Sequence, residues 1–144
     1  MKNDDMLNLR SLSIKGIQQE RISISYRYKK NNLKDALSNL KDISESRVLE
    51  GVNCLILSDR DIDQDRLAIP SLLAVSAIHH HLFSQGIRSR CSLILESRET
   101  REVHHFFLLL GFGTSAINPY LALDTIQSRS VVDDFSQKIL FHQM

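Results

Sequence analysis

Three polar segments of the sequence could carry chemistry, because each comes directly after an apolar run. They are residues 58–60, 96–101 and 118–120. Ligands of parallel α/β sheets bind beyond the carboxyl ends of the strands, so these segments would converge on one edge of a sheet. We therefore predict a strand-end contact or binding edge, and its candidate side chains are Ser58, Asp59, Arg60, Glu96, Arg101, His104, Asn118 and Tyr120.

The same edge has two interpretations at the level of sequence. In the first, Arg60 or Arg101 faces a bound anion. In the second, the charges cap helices and neutralise one another, with Asp59 paired locally and with Glu99 and Glu102 near a helix start. Loops in folds of this class commonly begin with polar residues, so the pattern alone leaves both interpretations open.

The histidines are grouped in two places but lack the spacing of metal ligands. His79, His80 and His81 are consecutive, and neighbours on a helix point about 100° apart. His104 and His105 lie on the next predicted helix, so a pair across the two helices could meet a metal. No cysteine or carboxylate completes a known ligand pattern, and we expect no metal site. One histidine of each group is expected to pack inside, hydrogen-bonded, while the others face solvent.

Other catalytic patterns are absent from the sequence. Cys54 and Cys91 each stand alone in an apolar run, without CxxC spacing, and are expected to be buried free thiols. The sequence contains no GxSxG elbow, no P-loop and no GxGxxG fingerprint. Gly111-Phe112-Gly113 ends a predicted helix and is expected to be a turn.

Composition indicates one globular domain. The chain has 144 residues, 42% of them hydrophobic and 24% charged, and a formal net charge of +1. This balance argues against a nucleic-acid partner, which would favour a basic excess. The longest apolar run, Phe106 to Leu110, is far too short for a membrane span. No apolar segment of the signal-peptide type follows the polar start, so we expect a soluble intracellular protein without a membrane partner.

The elements that must position the candidate edge alternate between helices and strands. Residues 21–28 alternate apolar and polar side chains, which predicts an edge or antiparallel strand with one wet face. Asn32 is placed to cap a helix, and Gly51 to end it. The expected helices are 4–12, 33–50, 70–85, 99–110 and 120–127, and the expected later strands are 52–57, 91–95 and 115–117.

This alternation predicts an α/β fold with a mostly parallel sheet and right-handed crossovers. The units are too few for an eight-stranded barrel, so an open or incomplete-barrel-like sheet with an N-terminal edge strand is expected. We predict one α/β domain over 1–127. Residues 128–144 are expected to form a C-terminal tail that is weakly structured or packs on a neighbour.

Four segments resemble motifs of the glutamate synthase family, in the family's order. Residues 55–60 resemble "ILVLSDR", and residues 69–82 resemble "IPxLLAVGAVHHHL". Residues 101–106 resemble "AREVHHFA", and residues 111–122 are similar to "GYGADAVNPYLA". A weaker likeness extends back to about Leu7. Departures occur at Ser76, at Ser97-Arg98 and at Phe107, and they are expected to alter packing and domain contacts more than the fold.

The resemblance implies the central domain of glutamate synthase, an enzyme that makes glutamate from glutamine and 2-oxoglutarate. In that family a glutamine amidotransferase domain passes ammonia to an FMN-binding domain near an iron–sulfur cluster. The central domain connects the two, which are therefore the implied partners. No catalytic, FMN or cluster residue of the family maps onto this chain, so we expect no cofactor and no activity in it alone.

Several points stay open at this level. The resemblance implies cytoplasm or plastid stroma, and the many lysines, asparagines and isoleucines favour a plastid-type, ferredoxin-linked enzyme, without deciding between ferredoxin and NADPH. A stand-alone module that binds a small anion through Arg60, Arg101 and Asn118 is the alternative function. An independent metal enzyme that uses the histidines is a third hypothesis.

Overall fold

A computed structural model describes residues 1–11 and 15–129 of the chain. The first half contains α1 (Asn3–Ser11), β1 (Gln19–Ser23), β2 (Ser25–Arg27), α2 (Leu33–Leu49) and β3 (Cys54–Ser58). The second half contains β4 (Arg66–Ala68), α3 (Ser71–Ser84), a 3-10 turn (Arg88–Arg90), β5 (Ser92–Glu96), α4 (Val103–Gly111), β6 (Ala116–Asn118) and a helix, α5, over 120–129.

The main sheet has four parallel strands in the order β1-β3-β5-β6. β1 and β6 are its two edges, and the sheet of the described residues does not close into a barrel. The central strand β3 is buried along its whole length, which explains why its sequence is apolar without alternation. The predicted α/β class, the parallel sheet and the N-terminal edge strand are therefore confirmed.

Three helices cover one face of this sheet. Leu55, Leu57, Leu93 and Leu95 form that face and belong to one buried cluster with aliphatic side chains of α2, α3 and α4. α2 packs on α3, and α3 packs on α4. The opposite face is covered by α1, which places Met6 against β3 and β5 in a smaller cluster. The helices are thus held by burial of their apolar stripes on both sides of one sheet.

The predicted single strand over 21–28 is two strands in the structure. β1 pairs with β3, whereas β2 leaves the main sheet and pairs antiparallel with β4. Ile24 lies between them, fully buried; its backbone N–H donates to Ser58 O at 2.9 Å, and its carbonyl accepts from Ile69 N–H at 2.7 Å. The alternation of apolar residues continues across the break, so the sequence pattern does not reveal it. β4 has only three residues and was not predicted.

Most helix ends agree with the sequence signals. The Asn32 side chain accepts from Asp35 N–H at 2.8 Å and caps α2, and Gly51 follows that helix with φ of 102°. α4 begins at Val103, later than the predicted 99, because the preceding residues are held in the loop that follows β5. Its closing glycine is Gly113, with φ of 99°, whereas Gly111 is still helical.

Two predictions concern residues beyond this description. The C-terminal tail prediction covers 128–144, of which 128 and 129 continue α5 and 130–144 lie outside the described residues. Leu12, the predicted end of the first helix, lies outside them as well. Within residues 1–11 and 15–129, no helix combines the length and apolar character that a membrane span requires.

Candidate functional site

The carboxyl ends of three neighbouring strands meet at the predicted edge. The strand register places Ser58 of β3 opposite Glu96 of β5, and Glu96 opposite Asn118 of β6. All three side chains are fully buried. The structure therefore brings together one residue from each of the three polar segments, as parallel pairing requires.

Glu96 is the centre of this edge. Its carboxylate is held on one side by Arg10, from the last turn of α1, and on the other by Arg60, whose Nε lies 3.3 Å from Oε1. The Glu96 side chain is only 1% exposed, whereas the two arginines are 33% and 36% exposed. A buried carboxylate is strongly unfavourable unless it is paired, so the two arginines make the burial of Glu96 possible.

Asp59 is a second buried carboxylate, and hydrogen-bond donors surround it. Oδ1 accepts from the Tyr120 hydroxyl at 2.7 Å, and Oδ2 accepts from Arg98 N–H at 2.9 Å and from Ser97 Oγ at 3.3 Å. Burial and the neighbouring carboxylate raise the pKa of Tyr120 above its ordinary value of 10.0. Tyr120 is therefore a neutral donor at physiological pH, and its ring lies 3.9 Å from the Arg60 guanidinium carbon.

The N-terminus of the chain closes the end of β6. The Asn118 side-chain nitrogen donates to Met1 O at 3.0 Å and to Asn3 Oδ1 at 2.9 Å. The terminal ammonium of Met1 donates to Ile117 O at 3.0 Å. At the other end of the edge, Arg21 donates to Ser58 Oγ at 3.2 Å.

Two candidates do not join the others. Arg101 and His104 are exposed, and neither side chain contacts this cluster within residues 1–11 and 15–129. The Arg101 backbone N–H donates to His105 Nδ1 at 3.2 Å at the start of α4. The three residues of the alternative anion site, Arg60, Arg101 and Asn118, are thus not brought together.

Sequence reasoning missed the partners that come from elsewhere in the chain. Arg10 and Arg21 contact Glu96 and Ser58 from α1 and β1, and the sequence carries no signal for these contacts. Glu99 caps a helix, as one interpretation predicted, but the capped helix is α3 and not α4. Glu99 Oε2 accepts from Ser71 N–H at 2.8 Å. Each carboxylate of the edge is therefore used within the fold.

The described histidines of α3 and α4 are not grouped around one point, although the neighbouring His79 and His80 rings lie edge to face with centroids 5.4 Å apart. His79 Nδ1 accepts from Arg88 Nε at 3.1 Å, and His81 Nε2 lies 2.7 Å from Glu45 Oε2. His105 caps α4, whereas His80 and His104 are exposed. Among the residues that the structure describes, no three His, Cys, Asp or Glu side chains are grouped to hold a metal ion.

The two cysteines are free and buried, as predicted, on opposite faces of the sheet. Cys54 packs in the cluster under α1, and Cys91 packs on the side of the other helices. Burial raises the pKa of both thiols, so neither is activated as a thiolate.

Comparison with known proteins gives a consistent result. A family model described as "Glutamate synthase central domain" matches residues 1–142. The chain is 38% identical over 125 residues to the glutamate synthase [NADPH] large chain of Bacillus subtilis (strain 168), which covers 87% of this chain and 8% of that protein. It is 42% identical over 96 residues to the ferredoxin-dependent glutamate synthase of Pyropia yezoensis, and this match covers 65% of this chain and 6% of that protein.

A chloroplastic relative is similar to the same degree. The ferredoxin-dependent glutamate synthase 2 of Arabidopsis thaliana is 43% identical over 96 residues, covering 65% of this chain and 6% of that protein. The chain therefore spans only a small part of the length of the curated relatives it matches.

Proposed function

The chain belongs to the family of glutamate synthase central domains, and we propose that it connects the glutamine amidotransferase and FMN-binding domains of such an enzyme. In this role it contributes to glutamate formation from glutamine and 2-oxoglutarate without a reaction centre of its own. FMN and the iron–sulfur cluster would be held by the other domains. The cytoplasm or the plastid stroma is the proposed location, and the chloroplastic relative is in keeping with it.

The observation that carries this proposal is the internal pairing at the strand carboxyl ends. An enzyme of this fold class would keep an acid, a base or a cation available there for substrate. Here Glu96 is held by Arg10 and Arg60, and Asp59 is held by Tyr120 and the loop after β5. An edge whose two buried carboxylates are both paired supports a structural role, because the pairing stabilises the fold and leaves neither carboxylate free for catalysis.

A second observation supports contact with a neighbouring domain of the same enzyme. Val103, Phe107 and Leu110 follow one another at helical spacing on α4 and are 69%, 70% and 49% exposed. Apolar side chains grouped in this way mark an interaction surface in soluble proteins. We call these three residues the α4 face and assign it to an apolar surface of an adjacent glutamate synthase domain.

Domain replacement tests the proposal. The segment of the Bacillus subtilis large chain that aligns with this chain over 125 residues is exchanged for this chain, and glutamate formation is compared with that of a variant carrying a flexible Gly/Ser linker. We expect the exchange to restore activity and the linker to abolish it. Equal activity of the two variants would contradict a connecting role.

The isolated chain provides the complementary measurement. Purified alone, it is expected to be colourless and to form no glutamate from glutamine and 2-oxoglutarate, with reduced ferredoxin or NADPH as donor. A yellow protein with stoichiometric FMN would overturn the assignment of the cofactors to the other domains.

A further inference from the structure

The small β2–β4 sheet places two arginines directly opposite each other. Arg27 of β2 is the register partner of Arg66 of β4. Directly opposed residues in an antiparallel pair share one face, with Cβ atoms about 4.5–5.5 Å apart, and like charges in this position repel. Such a pair destabilises a short two-stranded sheet, and negative charge between the two guanidinium groups would relieve the repulsion.

The described residues do not supply that charge at ion-pairing distance. Within 1–11 and 15–129, neither Arg27 nor Arg66 has a carboxylate oxygen within 4.0 Å. Three aspartates, Asp61, Asp63 and Asp65, line neighbouring cavities with the two arginines but do not form ion pairs with them. Asp65 accepts from Lys29 Nζ at 2.6 Å, Asp61 lies 2.9 Å from Arg21, and Asp63 Oδ1 accepts from Asp65 N–H at 2.8 Å. Arg66 contributes only a minor part of the lowered pKa of Asp61, whose largest cause is the hydrogen bond from Arg21.

A cavity opens beside this pair. Its volume is about 260 Å³, and both arginines and Lys30 line it. Lys30 has no ion pair among the described residues either. Ser25 lines the same cavity, as do Leu40 and Ile69, which belong to the main core cluster. The cavity thus combines three unpaired cations, a hydroxyl group and an apolar side.

We propose that Arg27, Arg66 and Lys30 form a binding site for a small molecule that carries a carboxylate or phosphate group. An anionic group between the two guanidinium groups removes their repulsion and accepts paired N–H donors, the arrangement in which arginine binds such groups best. A cavity of this size admits a small metabolite.

The site is separate from the surface assigned to domain contact. β2 leads into α2, and the helix layer runs from α2 through α3 to α4. The Arg27–Arg66 cavity borders α2, at the opposite end of that layer from the α4 face. A neighbouring domain on α4 would therefore leave the cavity open to a ligand.

Calorimetric titration of the full chain tests the site. Inorganic phosphate and, in a separate arm, succinate are titrated at a constant ionic strength of about 0.15 M, so that general screening does not change. We expect saturable binding of at least one probe, and the tighter probe identifies the source of the anionic group. Arg27→Gln and Arg66→Gln are each expected to weaken binding about tenfold or more, as loss of charge-assisted hydrogen bonds does.

Arg90→Gln is the matched control, because Arg90 is exposed in the 3-10 turn before β5 and its removal changes the net charge equally. It is expected to leave the affinity unchanged. The proposal is overturned if neither probe binds saturably, if binding survives in Arg27→Gln and Arg66→Gln, or if Arg90→Gln weakens it to the same extent. None of these outcomes depends on the connecting role, which the domain exchange measures independently.

Discussion

At the scale of single residues, the two carboxylates at the strand ends are paired inside the fold. Glu96 and Asp59 are strictly internal, yet they occupy the positions where an α/β enzyme would bind substrate. The difference lies in their partners, which come from α1, α5 and the loop after β5. Residue type and position along the chain therefore do not distinguish a reactive carboxylate from a paired one.

Replacing the two arginines at Glu96 is expected to have non-additive effects on the unfolding free energy. Arg10→Met or Arg60→Met alone leaves one cation on the carboxylate and should cost about 1 kcal/mol of unfolding free energy, as for a partly exposed ion pair. The double variant leaves Glu96 buried without a counter-charge and should cost roughly 3–5 kcal/mol. Urea unfolding at neutral pH measures all three.

Glu96→Gln provides the control for that series. Added to the double variant, it removes the buried charge and should recover most of the lost stability. If the double variant loses only the sum of the two single losses, and Glu96→Gln recovers nothing, then Glu96 does not depend on these arginines.

At the scale of elements, one contact network fastens the end of α4 to α3 and to the 3-10 turn. Arg88 donates to His79 Nδ1 at 3.1 Å, to Cys91 O at 2.6 Å and to Gly113 O at 2.5 Å. Because His79 Nδ1 acts as an acceptor, the network requires the neutral imidazole. Burial, and then Arg88 and His80, lower the pKa of His79 below 6.5.

The free energy of unfolding should therefore fall in mild acid, because protonation of His79 is less favourable in the folded state than in the unfolded state. Well above pH 6.5 the residue is neutral in both states and contributes no pH dependence. As the pH falls below 6.5, the unfolded chain binds the proton first, so unfolding is favoured until the lower folded-state pKa is reached. Urea unfolding between pH 7.5 and 5 measures this slope, and His79→Gln should show a smaller one. An unchanged slope in that variant would exclude His79 as its source.

Gly113 is required by the same network. Its φ is 99°, and a Cβ atom there would lie 2.3 Å from His79 Nδ1. Gly113→Ala should therefore cost roughly 1–3 kcal/mol, from backbone strain and displacement of the histidine. Gly86→Ala is the matched control: its φ of 71° is also positive, but no atom lies within 4 Å of the added Cβ. Thermal unfolding should show a clearly larger loss of stability for Gly113→Ala. Equal losses in the two variants would mean that backbone strain alone, and not the contact with His79, causes the effect.

The same scale shows what the sequence could predict. Continuous apolar runs correctly predicted β3 and β5, because both strands are buried on two faces. Asn32 and Gly51 correctly predicted the two ends of α2, because the Asn32 side chain caps the first turn and glycine adopts the positive φ that follows the last turn. The division of 21–28 into β1 and β2 was not predictable, since it depends on pairing with β3 and β4. Arg10 was missed for a similar reason: its partner lies 86 residues away.

At the scale of the whole molecule, the two sides of the helix layer differ. The α2 end carries the Arg27–Arg66 pair, and the α4 end carries the α4 face. Phe107 is one of the departures from the family motifs, and it is 70% exposed, so it contributes little to the core. That such departures alter domain contacts stays a prediction.

Phe107→Asp distinguishes an effect on contact between domains from an effect on folding. The side chain is mostly solvent-exposed in the isolated chain, so the unfolding free energy should change by about 0.5 kcal/mol or less. In the domain-exchanged Bacillus subtilis enzyme, the same change places a charge in the proposed apolar contact, and glutamate formation should fall by at least about tenfold because an unpaired charge is costly to bury.

The control must be an exposed apolar side chain that gains the same charge but lies elsewhere. Leu67→Asp meets this requirement, because Leu67 is 47% exposed on β4, away from α4. It should leave the activity of the exchanged enzyme close to that of the unmodified exchange. Loss of activity in both variants would indicate a general effect of added charge, whereas full activity of Phe107→Asp would remove the α4 face from the contacts between domains, because an apolar contact cannot absorb a buried aspartate without loss.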